Sequence, residues 1–256
     1  MIKVAVLGAC GRMGSQVIEA VLSDSECALT GACDVVRVGE TIGGVVIKGS
    51  PAEMIAEEKP DAVVDFAKPF SMKNVRMLME AGIVPVIGTT GQTEQEIEEM
   101  KELSKVTGCA CFLIPNFAIG AVLMMKYAGE IAKYMPDAEI IELHHDKKVD
   151  SPSGTALKTA RIIAESRKAA GVEPSLPLGS FSDPARGYSE IDRIPIHSVR
   201  LQGYVAHQEV IFGGKGQTLT LRHDSIDRTS FMPGVLLCVK ASVNRHDFVY
   251  GLENLL

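Results

Sequence analysis

Short apolar runs alternate with helix-spaced segments along the first part of the chain. Ile2–Leu7, Leu29–Asp34, Ala62–Phe66, Val84–Gly88 and Ala110–Ile114, rich in Val, Ile and Ala, are candidate strands. Between them Arg12–Leu22, Pro69–Ala81 and Glu94–Val106 have the spacing and composition of helices. Strand, helix, strand at this rhythm implies right-handed crossovers, and so a Rossmann-like, doubly wound parallel sheet. After Asn116 the pattern changes. Ile119–Met135 reads as one long helix, Glu139–His145 as a strand and roughly 155–170 as a second helix. The stretch Gly171–Tyr188, rich in Gly, Pro and Ser, reads as a long surface loop. Ile194–Arg200, Val205–Phe212 and Thr218–His223 follow as consecutive strands, with Gly213-Gly214 as turn chemistry, and predict a mixed or antiparallel sheet. Thr229–Val243 is a last helical stretch before a tail, Phe248–Leu256. The expectation is an α/β chain of two domains. One covers 1–116 and 229–256; the other, a smaller α+β domain, covers 117–228.

Composition narrows the class. Hydrophobic residues are 46% of the chain, aromatic residues only 5% and Trp is absent, so the core must be aliphatic. The formal net charge is −6 with no Lys/Arg block, which argues against a nucleic-acid partner, since binding there needs a basic face. No apolar run reaches the roughly 18 residues of a membrane span. Leu7-Gly8-Ala9-Cys10 imitates a lipoprotein cleavage box, but the apolar stretch before it is too short for a signal peptide. The six Cys show no zinc spacing and need no disulfide framework, so a reducing, cytoplasmic setting is expected.

Chemistry begins where the first strand meets the first helix, in Gly8-Ala9-Cys10-Gly11-Arg12-Met13-Gly14. Glycines there keep side chains away from a helix N-terminus, where free N–H groups can meet a pyrophosphate. Asp34 follows Gly14 by 20 positions, where an acidic side chain grips the hydroxyls of an adenosine ribose. Gly88-Thr89-Thr90-Gly91 and Ile114-Pro115-Asn116-Phe117 also follow candidate strands, at the end where ligands of open sheets bind; ordinary turn chemistry explains them equally well. Glu58-Lys59-Pro60 imitates a sugar-dehydrogenase signature but precedes a strand, so its lysine faces the wrong end of the sheet.

The most informative segment runs from Glu142 through His144-His145, Lys148 and Asp150 to Ser151-Pro152-Ser153-Gly154-Thr155. A strand ends in two histidines, a cationic loop follows and a helix is expected to start around Ser151-Pro152, serine as cap and proline in the first turn. N–H groups near Ser153, Gly154 and Thr155 should then hold a carboxylate, with Lys148 neutralising the same anion. Adjacent strand residues point to opposite faces, so His144 and His145 do not easily share a metal ion, and none is expected.

Gly8 to Gly14 with Arg12-Met13, Gly88-Thr89-Thr90-Gly91, Pro115-Asn116-Phe117 and the His144 to Thr155 segment, in order and spacing, resemble the dihydrodipicolinate reductase family. So do Ile196-His197-Ser198-Val199-Arg200, Val205-Ala206-His207, Phe212-Gly213-Gly214 and Gly251-Leu252, and the likeness covers nearly the whole chain. The resemblance implies reduction of 4-hydroxy-tetrahydrodipicolinate to tetrahydrodipicolinate, with loss of water and hydride from NADH or NADPH. It implies that His144 is the proton donor, that Lys148 partners a substrate carboxylate, and that His145, Gly154 and Thr155 line the pocket for this small dicarboxylate. Gly8, Ala9, Cys10, Gly11, Arg12, Met13, Asp34, Gly88, Thr89, Thr90, Ile114, Pro115, Asn116 and Phe117 would hold the cofactor. The family also implies a homotetramer joined through the second sheet. Val35 stands where an Arg would favour the phosphate of NADPH, so use of NADH with modest discrimination is expected. Cys10, at a helix start, is a candidate oxidation-sensitive thiol, with packing as its default role. Two other readings remain: a related dehydrogenase of another small oxo- or imino-acid, and a non-catalytic NADPH-sensing regulator that would have no use for the His144–Lys148 segment.

Overall fold

The computed structural model describes residues 1–175 and 184–256. Much of the glycine- and proline-rich stretch expected to be a loop lies outside them. The described chain falls into two compact units, Met1–Ile119 with Arg228–Leu256, and Gly120–Asp227.

The first unit is doubly wound. Its strands are β1 (Ile2–Leu7), β2 (Cys27–Cys33), β3 (Thr41–Ile42), β4 (Val45–Lys48), β5 (Ala62–Asp65), β6 (Val84–Ile87), β7 (Cys111–Leu113) and β12 (Phe248–Tyr250). Among the described residues they form one sheet in the order β12-β7-β6-β5-β1-β2-β4-β3, parallel except for the β3–β4 pair. The order reverses at β1, which sits between β2 and β5, and the crevice over this switch point is where open sheets bind ligands. The helices are α1 (Arg12–Ser23), α2 (Pro51–Glu58), α3 (Met72–Glu80), α4 (Glu94–Thr107) and α7 (Met232–Ser242). Ala5 and Leu7 of β1 pack with Met54 and Ile55 of α2 and Leu78 of α3, while Val4 and Val6 are equally buried on the other face. Both faces are thus covered, which is why these strands read as continuous apolar runs.

Three local differences from the expectation have physical causes. The β3–β4 hairpin and α2 had no counterpart in the sequence reading, because strands of 2 and 4 residues around Gly43-Gly44 are too short to show a period. Helix α3 begins at Met72, later than Pro69, because Ser71 is its cap and accepts a hydrogen bond from the Asn74 N–H. The stretch 229–243 divides into a 3-10 turn, Arg228–Phe231, and α7.

The second unit packs helices α5 (Ile119–Ala132) and α6 (Gly154–Ala170) on one face of a mixed sheet of β8 (Asp137–His144), β9 (Ile196–Arg200), β10 (Ala206–Gly214) and β11 (Gln217–Ser225). The order is β11-β10-β8-β9, with β8–β9 parallel and the other pairs antiparallel. Met124, Ala128 and Ala132 of α5 and Ala156, Ala160 and Ile163 of α6 meet Ala138, Ile140, Val210 and Phe212 of the sheet. Ile141, Leu143, Val199 and Ile211 alternate with these and stay partly exposed on the opposite face.

Candidate active site

The glycine segment is a cradle. Gly8 leaves β1 at φ 75°, its N–H bonded to the Cys33 carbonyl, and its own carbonyl accepts the Gly11 N–H at 3.0 Å. A Cβ on Gly14 would lie 2.0 Å from that carbonyl oxygen, so only glycine lets α1 start this close to β1. Gly11 is the N-cap of α1 with no side-chain cap bond, leaving the helix N-terminus for an outside acceptor. A cavity of about 390 Å³ opens over it, lined by Gly8, Gly11, Arg12 and Met13 on one side. Gly88, Thr89 and Thr90 line it from beyond β6, and Pro115, Asn116 and Phe117 from beyond β7. Gly88 is glycine because the Phe66 ring, tilted against Phe117, occupies the space of a Cβ. The Thr89 hydroxyl is buried beside this cavity without a hydrogen-bond partner.

Asp34 belongs to a second cavity, about 450 Å³, that shares Gly8, Gly11 and Phe66 with the first. Its carboxylate accepts the Cys10 N–H at 2.8 Å and the Val36 N–H at 3.2 Å, which fixes it against the glycine loop. Arg37 is paired with Glu40 at 2.8 Å. Ala9 and Ile114 are buried and line neither cavity; they set the backbone that their neighbours present. The Cys10 thiol is pushed up, by burial first and then by the Asp34 and Glu40 carboxylates against a smaller opposing effect of Arg37. That direction favours the default packing role for Cys10 over a reactive thiol.

In the second unit, His144 ends β8 and points to the helix-covered face together with Glu142, in step with Ala138 and Ile140. Glu142 is fully buried. Its Oε2 lies 2.5 Å from His144 Nδ1 and accepts Arg200 Nη1 at 2.9 Å, while Oε1 accepts Arg200 Nη2 at 2.8 Å and the Ser153 N–H at 3.2 Å. Burial alone would push this carboxyl up, but the bonds from His144, Arg200 and Ser198 outweigh it and hold it down at about 2. Arg200 also donates to the Asp150 carbonyl at 2.6 Å and so ties down the loop before α6.

The cap of α6 is Ser153, whose hydroxyl accepts the Ala156 N–H at 3.2 Å, with Ser151-Pro152 a cis peptide ahead of the helix. The expected start at Ser151-Pro152 is therefore corrected, and the Ser153 N–H is committed to Glu142. Gly154 and Thr155 hold the first helical N–H groups, at the exposed end of the helix. Lys148 bonds Asp150 at 2.7 and 2.8 Å, and His145 is exposed at the start of the same loop. Among the described residues no group of three or more His, Cys, Asp or Glu is arranged to hold a metal ion. Glu142 and Arg200 carried no role in the sequence reading. The signal for Glu142 was present: an acidic residue two positions after Ile140 on an alternating strand falls on the core face.

A glycine cradle at the switch point of a parallel sheet, in one chain with a buried carboxylate–histidine centre, defines a nicotinamide-dependent oxidoreductase of the Rossmann class. The family model for the N-terminal part of dihydrodipicolinate reductase matches residues 2–117, and the one for its C-terminal part matches 120–256. A 4-hydroxy-tetrahydrodipicolinate reductase of Streptococcus thermophilus is 50% identical over 100% of this chain and 99% of its own length. That of Syntrophomonas wolfei is 45% identical over 99% and 98%. Dihydrodipicolinate reductase from Paenisporosarcina sp. TG-14, solved with dipicolinate bound, superposes with a TM-score of 0.90 at 41% identity, covering 100% of both chains. The chain belongs to the dihydrodipicolinate reductase family, whose members use NADH or NADPH.

Proposed function

We propose that this chain reduces 4-hydroxy-tetrahydrodipicolinate to tetrahydrodipicolinate in the route to diaminopimelate and lysine, in the cytoplasm, as a homotetramer. The observation that carries the catalytic reading is His144 held at 2.5 Å by a buried carboxylate, in one unit with the start of α6.

The residues present fit a dinucleotide. The uncapped start of α1, the Gly8–Gly14 approach that no side chain could share and the unpartnered Thr89 hydroxyl all await an outside partner at one cavity. The start of α1, with Arg12 and Met13, would hold the pyrophosphate, Gly88 to Thr90 and Pro115 to Phe117 the nicotinamide half, and Asp34 the adenosine ribose. When bound, the nicotinamide supplies the hydride. The protein's own residues handle charge. A dicarboxylate is attracted by Lys148 and by the Gly154 and Thr155 N–H groups at the positive end of α6. Hydride addition to a conjugated ring imine builds negative charge on the substrate, and the Nε2 proton of His144 quenches it. Dipicolinate, bound by the Paenisporosarcina relative, is a dicarboxylate of the same kind. The tetramer reading is supported by the uncovered face of the second sheet, where Ile141, Leu143, Val199 and Ile211 stay partly exposed among Glu139, His197, Glu209 and Arg222.

The test is oxidation of NADH and of NADPH by the purified protein with substrate freshly made by the preceding condensation. Turnover with at least one cofactor is expected. Tight cofactor binding with no turnover would instead favour a sensing protein.

A further inference from the structure

We propose that Glu142 is a positioning residue for this reaction: its buried carboxylate fixes the ring nitrogen from which His144 delivers the proton, and ties that donor to the anion-binding start of α6. The inference rests on the reading of His144 as the donor.

A charged side chain on the core-facing side of an alternating strand is severely disfavoured unless every lone pair is used. Glu142 meets that condition. A carboxylate has about four acceptor positions; His144, both terminal nitrogens of Arg200 and the Ser153 N–H supply four contacts, and the Ser198 side chain adds a further bond. The guanidinium keeps the carboxyl ionised, consistent with its depression to about 2. An ionised carboxylate accepts and does not donate. The Nδ1 facing it therefore carries hydrogen whether the ring is neutral or protonated, and the proton that comes and goes is on Nε2. With its side chain only 14% exposed, His144 has little room to turn the other nitrogen outward, and doing so would strip the carboxylate of one donor.

The second oxygen of Glu142 explains why the expected free N–H at Ser153 is not free. By accepting it, Glu142 sets the position of the α6 cap, and with it the Gly154 and Thr155 N–H groups that follow. Arg200 closes the arrangement through the Asp150 carbonyl, at the base of the Lys148 loop. One buried carboxylate thus holds the donor and the anion-binding helix start in register, without touching substrate.

Ring-nitrogen NMR on histidine-labelled protein tests this directly, because the six histidines include one identifiable by its loss in His144→Gln. In the deprotonated wild-type ring, hydrogen on Nδ1 is expected; in Glu142→Gln, whose amide presents no second charge to Arg200, the population should move toward hydrogen on Nε2. The same variant should lose roughly 10²-fold in kcat with a much smaller change in KM. A wild-type ring with hydrogen on Nε2, or a Glu142→Gln protein with wild-type tautomer and turnover, overturns the proposal. If Glu142→Gln does not fold, the wild-type tautomer alone decides. Normal turnover in His144→Gln would sink the donor assignment beneath it, and that result is read separately from the tautomer.

Discussion

Asp65 closes β5 with its carboxylate only 2% exposed, and among the described residues its donor is the Ala67 N–H at 2.8 Å. Burial pushes it up from 3.8 to about 6, against the lowering effect of that bond. Folded protein therefore keeps this proton to higher pH than unfolded chain, and stability is lost as pH rises through the window from 3.8 to about 6. Asp65→Asn keeps the acceptor for Ala67 and removes the charge. It should stabilise above pH 6 by up to about 3 kcal/mol and have little effect below roughly pH 4, as read by denaturant unfolding. An equal gain at both pH values would mean the burial cost is not electrostatic. Glu142 has the opposite sign: its contribution is complete above 4.5 and is lost as pH falls toward 2. Asp34 gives a functional test at the same scale. Held between the Cys10 and Val36 N–H groups, it offers a ribose diol an acceptor and repels an added phosphate. Asp34→Ala should weaken NADH at least tenfold more than NADPH in binding titrations; equal losses would remove it from the ribose site. Single residues were legible where spacing alone sets their place, as at Gly8, Gly14 and Asp34. Arg200 was not, because its meeting with Glu142 depends on the parallel β8–β9 register, set by chain that returns 58 positions later.

At the scale of elements, the long parallel strands and helices were legible because burial on both faces leaves continuous apolar runs. The start of α6 was not. Serines flank Pro152 on both sides, and either could cap the helix; the Ser153 hydroxyl, which accepts the Ala156 N–H, and the claim of Glu142 on the Ser153 N–H select the second. The glycines of two helix starts make a contrasting pair. Gly14→Ala drives a methyl into the Gly8 carbonyl at 2.0 Å, so α1 must shift and cofactor affinity should fall by a factor of ten or more, with a clear loss in Tm. Gly154→Ala meets nothing within 4 Å and should leave stability within about 0.5 kcal/mol of wild type, with Tm nearly unchanged. Matching Tm values for the two variants would mean that the cradle is looser than its geometry.

For the whole molecule, the net charge of −6 limits nonspecific association, so assembly calls for a defined surface. The partly exposed face of Ile141, Leu143, Val199 and Ile211 is that surface in the tetramer reading. Leu143→Asp places a charge beside Val199, its neighbour across the strands, and should convert the tetramer to smaller species of unchanged circular dichroism in sedimentation experiments. A variant that remains tetrameric would move the interface elsewhere. Of the described helices, none is long and apolar enough to cross a membrane. The two-unit organisation could be anticipated from the change of pattern after Asn116, whereas the sheet order required the folded chain.

The central claim is that His144 supplies the proton and Lys148 the charge that receives the substrate. The most direct test is the pH dependence of kcat for wild type, His144→Gln and Lys148→Ala under saturating cofactor. Wild type should lose turnover as pH rises and the donor deprotonates. His144→Gln should lose that limb along with about 10²–10⁴-fold in kcat at nearly constant KM, while Lys148→Ala keeps the limb, raises KM and lowers kcat. A His144→Gln enzyme with near-normal turnover and the wild-type limb would contradict the account.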